Sequence, residues 1–158
     1  RDYPVRVCDT RKTTPGLRIL EKNAVRAGGA YNHRLSLYDG ILIKDNHIAV
    51  AGSIKKAVQA VRTRTSHLMK VEVEVTSMKE VKEALDANAE VIMLDNMDYD
   101  LMREAVDIID GRAVVEASGN VSLETINKIA ATGVDVISCG ALTHQARSVD
   151  LSMRIMNA

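Results

Sequence analysis

Val71-Glu72-Val73-Glu74-Val75-Thr76-Ser77-Met78-Lys79-Glu80-Val81-Lys82-Glu83-Ala84-Leu85-Asp86-Ala87-Asn88-Ala89-Glu90-Val91-Ile92-Met93-Leu94-Asp95-Asn96 is one complete strand–helix–strand unit. Val71 to Val75 alternates β-branched residues with glutamates, the period of a strand. Met78 to Asn88 reads as a helix, with Val81, Ala84 and Leu85 on one face. Val91 to Leu94 is again an apolar run of strand length. A helix between two strands joins them in parallel. Glu72 and Glu74 lie two residues apart, so both side chains leave the same face of their strand.

The same unit repeats in both directions, with a period of about twenty residues. Upstream, Val5 to Cys8 is strand-like, and Leu17 to Arg26 is a helix ended by Gly28-Gly29. Ile41 to Ile43 is strand-like, and Ser53 caps a helix to about Arg64. Downstream, Asp98 caps a helix to about Ile109, stopped by Gly111. Ala113 to Ala117 is a strand, Ser122 opens a helix ended by Gly133, and Val134 to Ser138 is a strand. Six βα units in one domain spanning 1–158 fit either a doubly wound sheet or a barrel. A full eight-unit barrel needs about 200 residues or more, and this chain has 158. Leu151 to Met156 alternates apolar with polar residues and predicts an extra strand, within 148–158, outside any barrel.

Bulk composition narrows the function. Lys plus Arg and Asp plus Glu are both 21, so formal net charge is zero. A nucleic-acid or anionic-membrane surface needs a basic excess, and the absence of Phe and Trp removes the usual stacking platforms. No run approaches the roughly 20 apolar residues that span a bilayer, and no secretory signal is visible. Cys8 and Cys139 lie in apolar runs without zinc-type spacing, as expected of buried thiols in a reducing cytoplasm. The chain starts at Arg1, close to the first strand, so further residues upstream are expected.

In parallel α/β folds, ligands bind at the carboxyl ends of the strands, and these ends are polar throughout. Arg11, Lys12, His33, Arg34 and Lys44 form a basic set. Their mutual repulsion is relieved by a multiply anionic ligand, although any one of them alone reads as solvated loop charge. Glu74 and Asp95 end neighbouring strands. Such oxygen ligands hold Mg²⁺ together with substrate phosphates, unless they merely neutralise Lys12 and Lys44. Ser118-Gly119-Asn120 and Cys139-Gly140-Ala141 are small loops entering helices, where backbone N–H groups take phosphate. The chemistry expected is that of an anionic small molecule, a phosphorylated partner and a divalent metal.

Those residues fall into an ordered set of motifs. Asp9-Thr10-Arg11-Lys12-Thr13-Thr14-Pro15-Gly16-Leu17-Arg18 resembles the signature loop of the quinolinate phosphoribosyltransferases. Asn32-His33-Arg34, Leu42 to His47, Val73-Glu74-Val75, Met93 to Asn96, Glu116 to Asn120 and Gly140 to His144 continue the resemblance in order over nearly the whole chain. It implies a TIM-like α/β barrel with fewer than eight strands. The implied activity is phosphoribosyl transfer from phosphoribosyl pyrophosphate to quinolinate with loss of CO₂, a step of NAD biosynthesis. Arg11, His33, Arg34 and Lys44 would hold the quinolinate carboxylates. Lys12, Glu74 and Asp95 would be catalytic, with Glu74 and Asp95 at Mg²⁺. Thr10, Ser118, Gly119, Asn120, Gly140 and His144 would bind phosphoribosyl pyrophosphate.

The resemblance also implies an N-terminal domain ahead of this loop. That domain packs on a neighbouring subunit of a homodimer or larger assembly and lends it a substrate-binding arginine. The 158 residues alone are therefore expected to be inactive or nearly so. Two rival readings are a related phosphoribosyltransferase with another acceptor, and a truncated phosphate-binding domain without activity. Two ligand carboxylates call for the full basic set, which separates quinolinate from a monocarboxylate acceptor.

Overall fold

The computed structural model describes residues 3–156. Its strands are β1 (Arg6–Cys8), β2 (Ile41–Ile43), β3 (Val71–Val75), β4 (Val91–Asp95), β5 (Val114–Ser118) and β6 (Val136–Ser138). All strand pairs are parallel, in the order β1-β6-β5-β4-β3-β2. Neighbours in sequence are neighbours in space from β2 to β6, and β1 returns to pair with β6. The sheet curls, because His33, which is tethered to the end of β1, reaches side chains on both β3 and β5. The result is a six-stranded α/β barrel with a seam between β1 and β2. Tyr31 makes an isolated parallel bridge with Cys8 on the free edge of β1 and fills part of that seam.

The helices form where propensity and caps agree. They are α1 (Arg18–Ala27), α2 (Asp45–Ala51), α3 (Ile54–Arg62), α4 (Met78–Asp86), α5 (Tyr99–Ile109) and α6 (Ile126–Ala130). Ser53 accepts a hydrogen bond from the Lys56 N–H, Ser77 from Glu80, and Asp98 from both Asp100 and Leu101. Alternation along β3 sends Val71, Val73 and Val75 outward into the core shared with the helices, where they are fully buried. The opposite face, carrying Glu72 and Glu74, lines the barrel interior. In register beside it lie Met93 and Asp95 of β4 and Glu116 and Ser118 of β5. The barrel is therefore polar inside and apolar between strands and helices.

Three sequence expectations shift. Helix α2 follows directly on β2, because the Lys44 N–H donates to His47 Nδ1 and so caps a segment that reads as loop. Helix α6 starts at Ile126 rather than Ser122, because the Ser122 N–H is taken by Thr125 Oγ1 in a side-chain turn. The extra strand expected within 148–158 is absent from the described part, 148–156, which has no strand partner. Val149, Leu151, Met153 and Ile155 are exposed there. Residues 157 and 158 lie outside the described residues. Among the described residues, 148–156 pairs with neither of the seam edges, β1 and β2.

Candidate active site

The carboxyl ends of the strands open into one pocket of about 590 Å³. Every residue proposed from sequence lines it. Thr10, Arg11, Lys12, His33, Arg34 and Lys44 come from the β1 and β2 side. Glu74 and Asp95 come from β3 and β4, and Ser118, Gly119, Asn120, Gly140 and His144 from the ends of β5 and β6.

The first loop is held rigidly. Arg18 donates through Nη2 to the Arg11 carbonyl, through Nε to Thr13 Oγ1, and through Nη1 to the Leu35 carbonyl. Thr143 Oγ1 donates to the Lys12 carbonyl at 2.5 Å, tying the loop after β6 to the loop after β1. Beneath lies a buried ion pair. Asp9 is fully buried and accepts from Lys22 Nζ at 2.5 Å, Asn32 Nδ2 at 2.6 Å and the His33 N–H at 2.8 Å. Lys22 Nζ also donates to the His33 carbonyl. This network sets the path of residues 31–34 along the seam. Asp9, Arg18, Lys22, Asn32 and Thr143 escape a search for ligand-facing chemistry because they brace the site from behind.

Arg11 and Arg34 face the pocket with open donors. The Nε of each is buried and has no hydrogen-bond partner among the described residues. A buried guanidinium N–H without a partner is costly, so an anion is the natural complement. Burial lowers the proton affinity of Arg34 and the Arg11 charge adds to this, while Glu72 and Glu116 oppose both. Arg34 Nη1 is anchored on the Gly40 carbonyl at 3.0 Å. Lys44 Nζ pairs with Glu74 Oε2. The resemblance assigns this lysine and this glutamate to different substrates, while the residues alone leave open their mutual neutralisation; here they are partners and any ligand meets them jointly.

His33 sits deeper. Its Nε2 lies 3.4 Å from Glu72 Oε2 and 3.5 Å from Glu116 Oε1, and its Nδ1 accepts the Arg34 backbone N–H at 2.8 Å. Burial works to lower the His33 pKa, but Glu116 and Glu72 outweigh it and raise the value to about 9. That favours the imidazolium, whereas the Arg34 N–H needs a lone pair on Nδ1. The hydrogen bond decides, because Nδ1 cannot carry a proton and accept one at 2.8 Å. The ring as placed therefore presents a lone pair at Nδ1 to the Arg34 N–H. Burial raises the Glu72 pKa and the Glu116 charge adds to the rise, while the His33 contact and the Arg34 charge oppose it. The three side chains would be close enough to hold an ion, but the adjacent Arg11 and Arg34 charges oppose a cation. Cys8 is buried among acids and its pKa is pushed far above the ordinary thiol range, so it is no nucleophile.

The loops after β5 and β6 are glycine-rich, and the second of them adjoins the loop after β1. Gly119 has φ +97°, and a Cβ there would collide with the Asn96 carboxamide. Asn96 and Asn120 both have positive φ, and Asn120 Nδ2 donates to Asn96 Oδ1 at 2.9 Å. Gly140 packs against His144, whose Nε2 would be 2.8 Å from an added Cβ. Both glycines line the pocket and put no side chain between their backbone and the cavity. Glu74 and Asp95 offer hard oxygen donors on one side of the pocket, a partial set that suits Mg²⁺ sharing phosphate oxygens.

Known proteins share this arrangement. Residues 1–154 match the family model described as quinolinate phosphoribosyl transferase, C-terminal domain. A probable nicotinate-nucleotide pyrophosphorylase [carboxylating] of Bacillus subtilis is 49% identical over 154 residues, covering 98% of this chain and 53% of that protein. The mitochondrial quinolinate phosphoribosyltransferase [decarboxylating] 2b of Nicotiana tabacum is 44% identical over 97% of this chain and 49% of its own length. The crystal structure of NadC from Streptococcus pyogenes superposes with a TM-score of 0.92 at 47% identity, over 98% of this chain and 54% of that one. A thiamine phosphate pyrophosphorylase from Pyrococcus furiosus, at 15% identity and TM-score 0.56, shares the fold alone. The chain spans about half the length of the curated relatives it matches. With the ordered motifs, the six-stranded barrel and identity at this level over its length, the chain belongs to the quinolinate phosphoribosyltransferase family and corresponds to its C-terminal domain.

Proposed function

We propose that this domain carries the active site for phosphoribosyl transfer from phosphoribosyl pyrophosphate to quinolinate, yielding nicotinate mononucleotide, CO₂ and pyrophosphate. The observation that carries the reading is the pair of buried, unpartnered guanidinium Nε groups of Arg11 and Arg34, in one pocket with the Gly119 and Gly140 loops. A dicarboxylate fits the first and a 5′-phosphate the second.

In this reading Arg11 and Arg34 hold the quinolinate carboxylates and aim the ring nitrogen at the anomeric carbon. Lys12, exposed at the pocket mouth, faces the departing pyrophosphate. Glu74 and Asp95 would hold Mg²⁺, which when bound offsets the charge of that leaving group. The same carboxylates stabilise the positive charge that develops on the ribose ring. Once the ring nitrogen is alkylated, its positive charge stabilises the electron pair left in the plane of the ring at C2 as CO₂ departs, and a proton is then added to that pair at C2. His33, whose Nδ1 accepts the Arg34 backbone N–H, lines the same pocket and completes the clamp with Lys44.

The relatives' greater length and the open arginine donors support completion of the acceptor site from outside these 158 residues, by a neighbouring subunit of a homo-oligomer. Ile19, Leu20, Leu37 and Tyr38 are apolar and exposed, as such a contact requires. No helix among the described residues is long and apolar enough to cross a membrane, and a cytoplasmic enzyme is proposed.

The deciding experiment supplies phosphoribosyl pyrophosphate and Mg²⁺ with either quinolinate or nicotinate, in the longest natural polypeptide that carries this chain. Pyrophosphate and CO₂ should appear in equal amounts with quinolinate. Turnover of nicotinate at a similar rate would replace this reading with that of a monocarboxylate enzyme.

Gly119→Ala tests the phosphate wall separately. The strained backbone and the displaced Asn96 should raise the KM for phosphoribosyl pyrophosphate about tenfold, ~1.4 kcal/mol. The KM for quinolinate should stay within about twofold. Equal effects on both substrates would refute the division of the pocket.

A further inference from the structure

The Asn96 side chain lies in the pocket and is unused by this mechanism. It follows Asp95, the last residue of β4, and reaches across to the loop after β5. Its Nδ2 donates to Asp95 Oδ2 at 3.1 Å, and its Oδ1 accepts from Asn120 Nδ2 at 2.9 Å. A carboxylate can only accept, so the Asp95 contact fixes which end of the Asn96 carboxamide carries the nitrogen. A line of hydrogen bonds with one direction therefore runs from Asn120, through Asn96, to a carboxylate that the reaction uses. The backbone repeats the link, because the Asn96 N–H donates to the Ser118 carbonyl at 2.9 Å.

We propose that Asn96 is a positioning residue for phosphoribosyl pyrophosphate: its carboxamide fixes the Asp95 carboxylate against the Gly119–Asn120 loop and so sets the separation of the places that receive the two ends of that substrate. The proposal rests on the reading in which Asp95 serves the pyrophosphate end with its Mg²⁺ and the Gly119 loop serves the 5′-phosphate. Three features support a spacer over a turn-forming asparagine. Asn96 has φ +53°, which glycine adopts without steric cost, so the turn itself needs no carboxamide. A turn-former bonds within its own segment, whereas Asn120 is 24 residues away on another loop. The carboxamide also fills the space that a side chain at 119 would take, since a Cβ there would lie 2.2 Å from Asn96 Oδ1. Held on three sides, the group cannot turn toward a ligand without releasing Asp95 or Asn120. Both hydrogen bonds are exposed in the open pocket, so each adds little to folding, and their value rises when a substrate covers them.

Asn96→Gly keeps the left-handed backbone and removes the carboxamide. Asn96→Ser keeps a polar group too short to span both partners and should behave as the glycine variant does. In the longest natural polypeptide that carries this chain, calorimetry would compare ribose 5-phosphate, pyrophosphate with Mg²⁺, and phosphoribosyl pyrophosphate with Mg²⁺. Each of the first two occupies one end, and only the third must meet both at once. The variants should bind phosphoribosyl pyrophosphate about tenfold more weakly or worse, while each fragment stays within about threefold. In turnover the KM for phosphoribosyl pyrophosphate should rise about as much, with the KM for quinolinate within about twofold. The midpoint of chemical denaturation should change little in Asn96→Gly. The spacer is overturned if phosphoribosyl pyrophosphate binds the variants as tightly as the unsubstituted protein. It is equally overturned if ribose 5-phosphate is weakened as much as the whole substrate, the mark of a direct phosphate contact or a collapsed loop. Should the unsubstituted protein bind none of the three ligands, the assignment of the pocket itself falls, and the spacer with it.

Discussion

Replacing Asp9 with alanine is expected to remove about 3–5 kcal/mol of folding stability, the cost of leaving a buried ammonium without its counter-ion. Lys22 would keep only the His33 carbonyl as partner, at a position 4% exposed to water. The Asn32 side chain and the His33 N–H would lose their acceptor as well. Chemical denaturation would record the loss as a lower midpoint with an unchanged slope. A second variant separates the charge from the packing. Asp9→Asn combined with Lys22→Met removes both charges, and part of the stability should return, because a neutral pair no longer incurs ionic desolvation. A loss below about 1 kcal/mol for Asp9→Ala would mean that the pair is hydrated and that the seam is held by something else.

Truncating either pocket arginine should damage acceptor use almost as severely, with little effect on folding. Arg11→Ala and Arg34→Ala are each expected to lower kcat/KM for quinolinate about a hundredfold to a thousandfold, ~3–4 kcal/mol, as for the loss of one partner of a desolvated charge pair. Arg11 has its backbone braced by Arg18, and Arg34 has one nitrogen fixed on Gly40, so neither can be replaced by the swing of a neighbour. Lysine at either position should recover only part of the activity, because a point charge cannot reproduce the planar fork. Steady-state kinetics with quinolinate and nicotinate side by side give the check. If both acceptors lose equally, or quinolinate loses less than about fivefold, these arginines are not a dicarboxylate clamp.

Much of this architecture is legible in the residues themselves. Val71 to Val75 alternates so regularly that the strand and the inward face of Glu72 and Glu74 follow directly. Ser53 and Asp98 cap where their side chains would be expected to. The strand ends carry the pocket because six parallel strands must all point the same way. What the sequence hides depends on curvature. His33, Glu72 and Glu116 belong to three separate segments, and nothing local indicates that a rolled sheet brings them within 3.5 Å. Lys44 and Glu74, thirty residues apart, pair across the adjacent strands β2 and β3, one of the neutralising pairs that the strand-end charges allow. Helix α2 is hidden for a local reason. Lys44-Asp45-Asn46-His47 is as polar as a loop, and only the turned imidazole of His47 reveals the cap. The unpaired 148–156 segment shows the opposite error, in which alternation is present and a strand partner among the described residues is not.

The seam between β1 and β2 also orders the assembly of the molecule. Most of the ring zips together from near neighbours, as in the Ser138–Ala117 contact, whose partners are 21 residues apart. The first strand must instead find the last one, and the Thr143–Lys12 hydrogen bond that accompanies it joins residues 131 apart. Closing that longer loop costs about 1.6 kcal/mol more in chain entropy. Contacts of such separation come late in folding, after the local ones have formed. Arg11 and Lys12 ride on the strand that docks last. A ribosome-bound or half-folded chain can therefore hold its Gly119 loop in near-final form while possessing neither an acceptor site nor an anchor for the Gly140 loop. Binding competence arrives in the closing step, as a property of the completed ring.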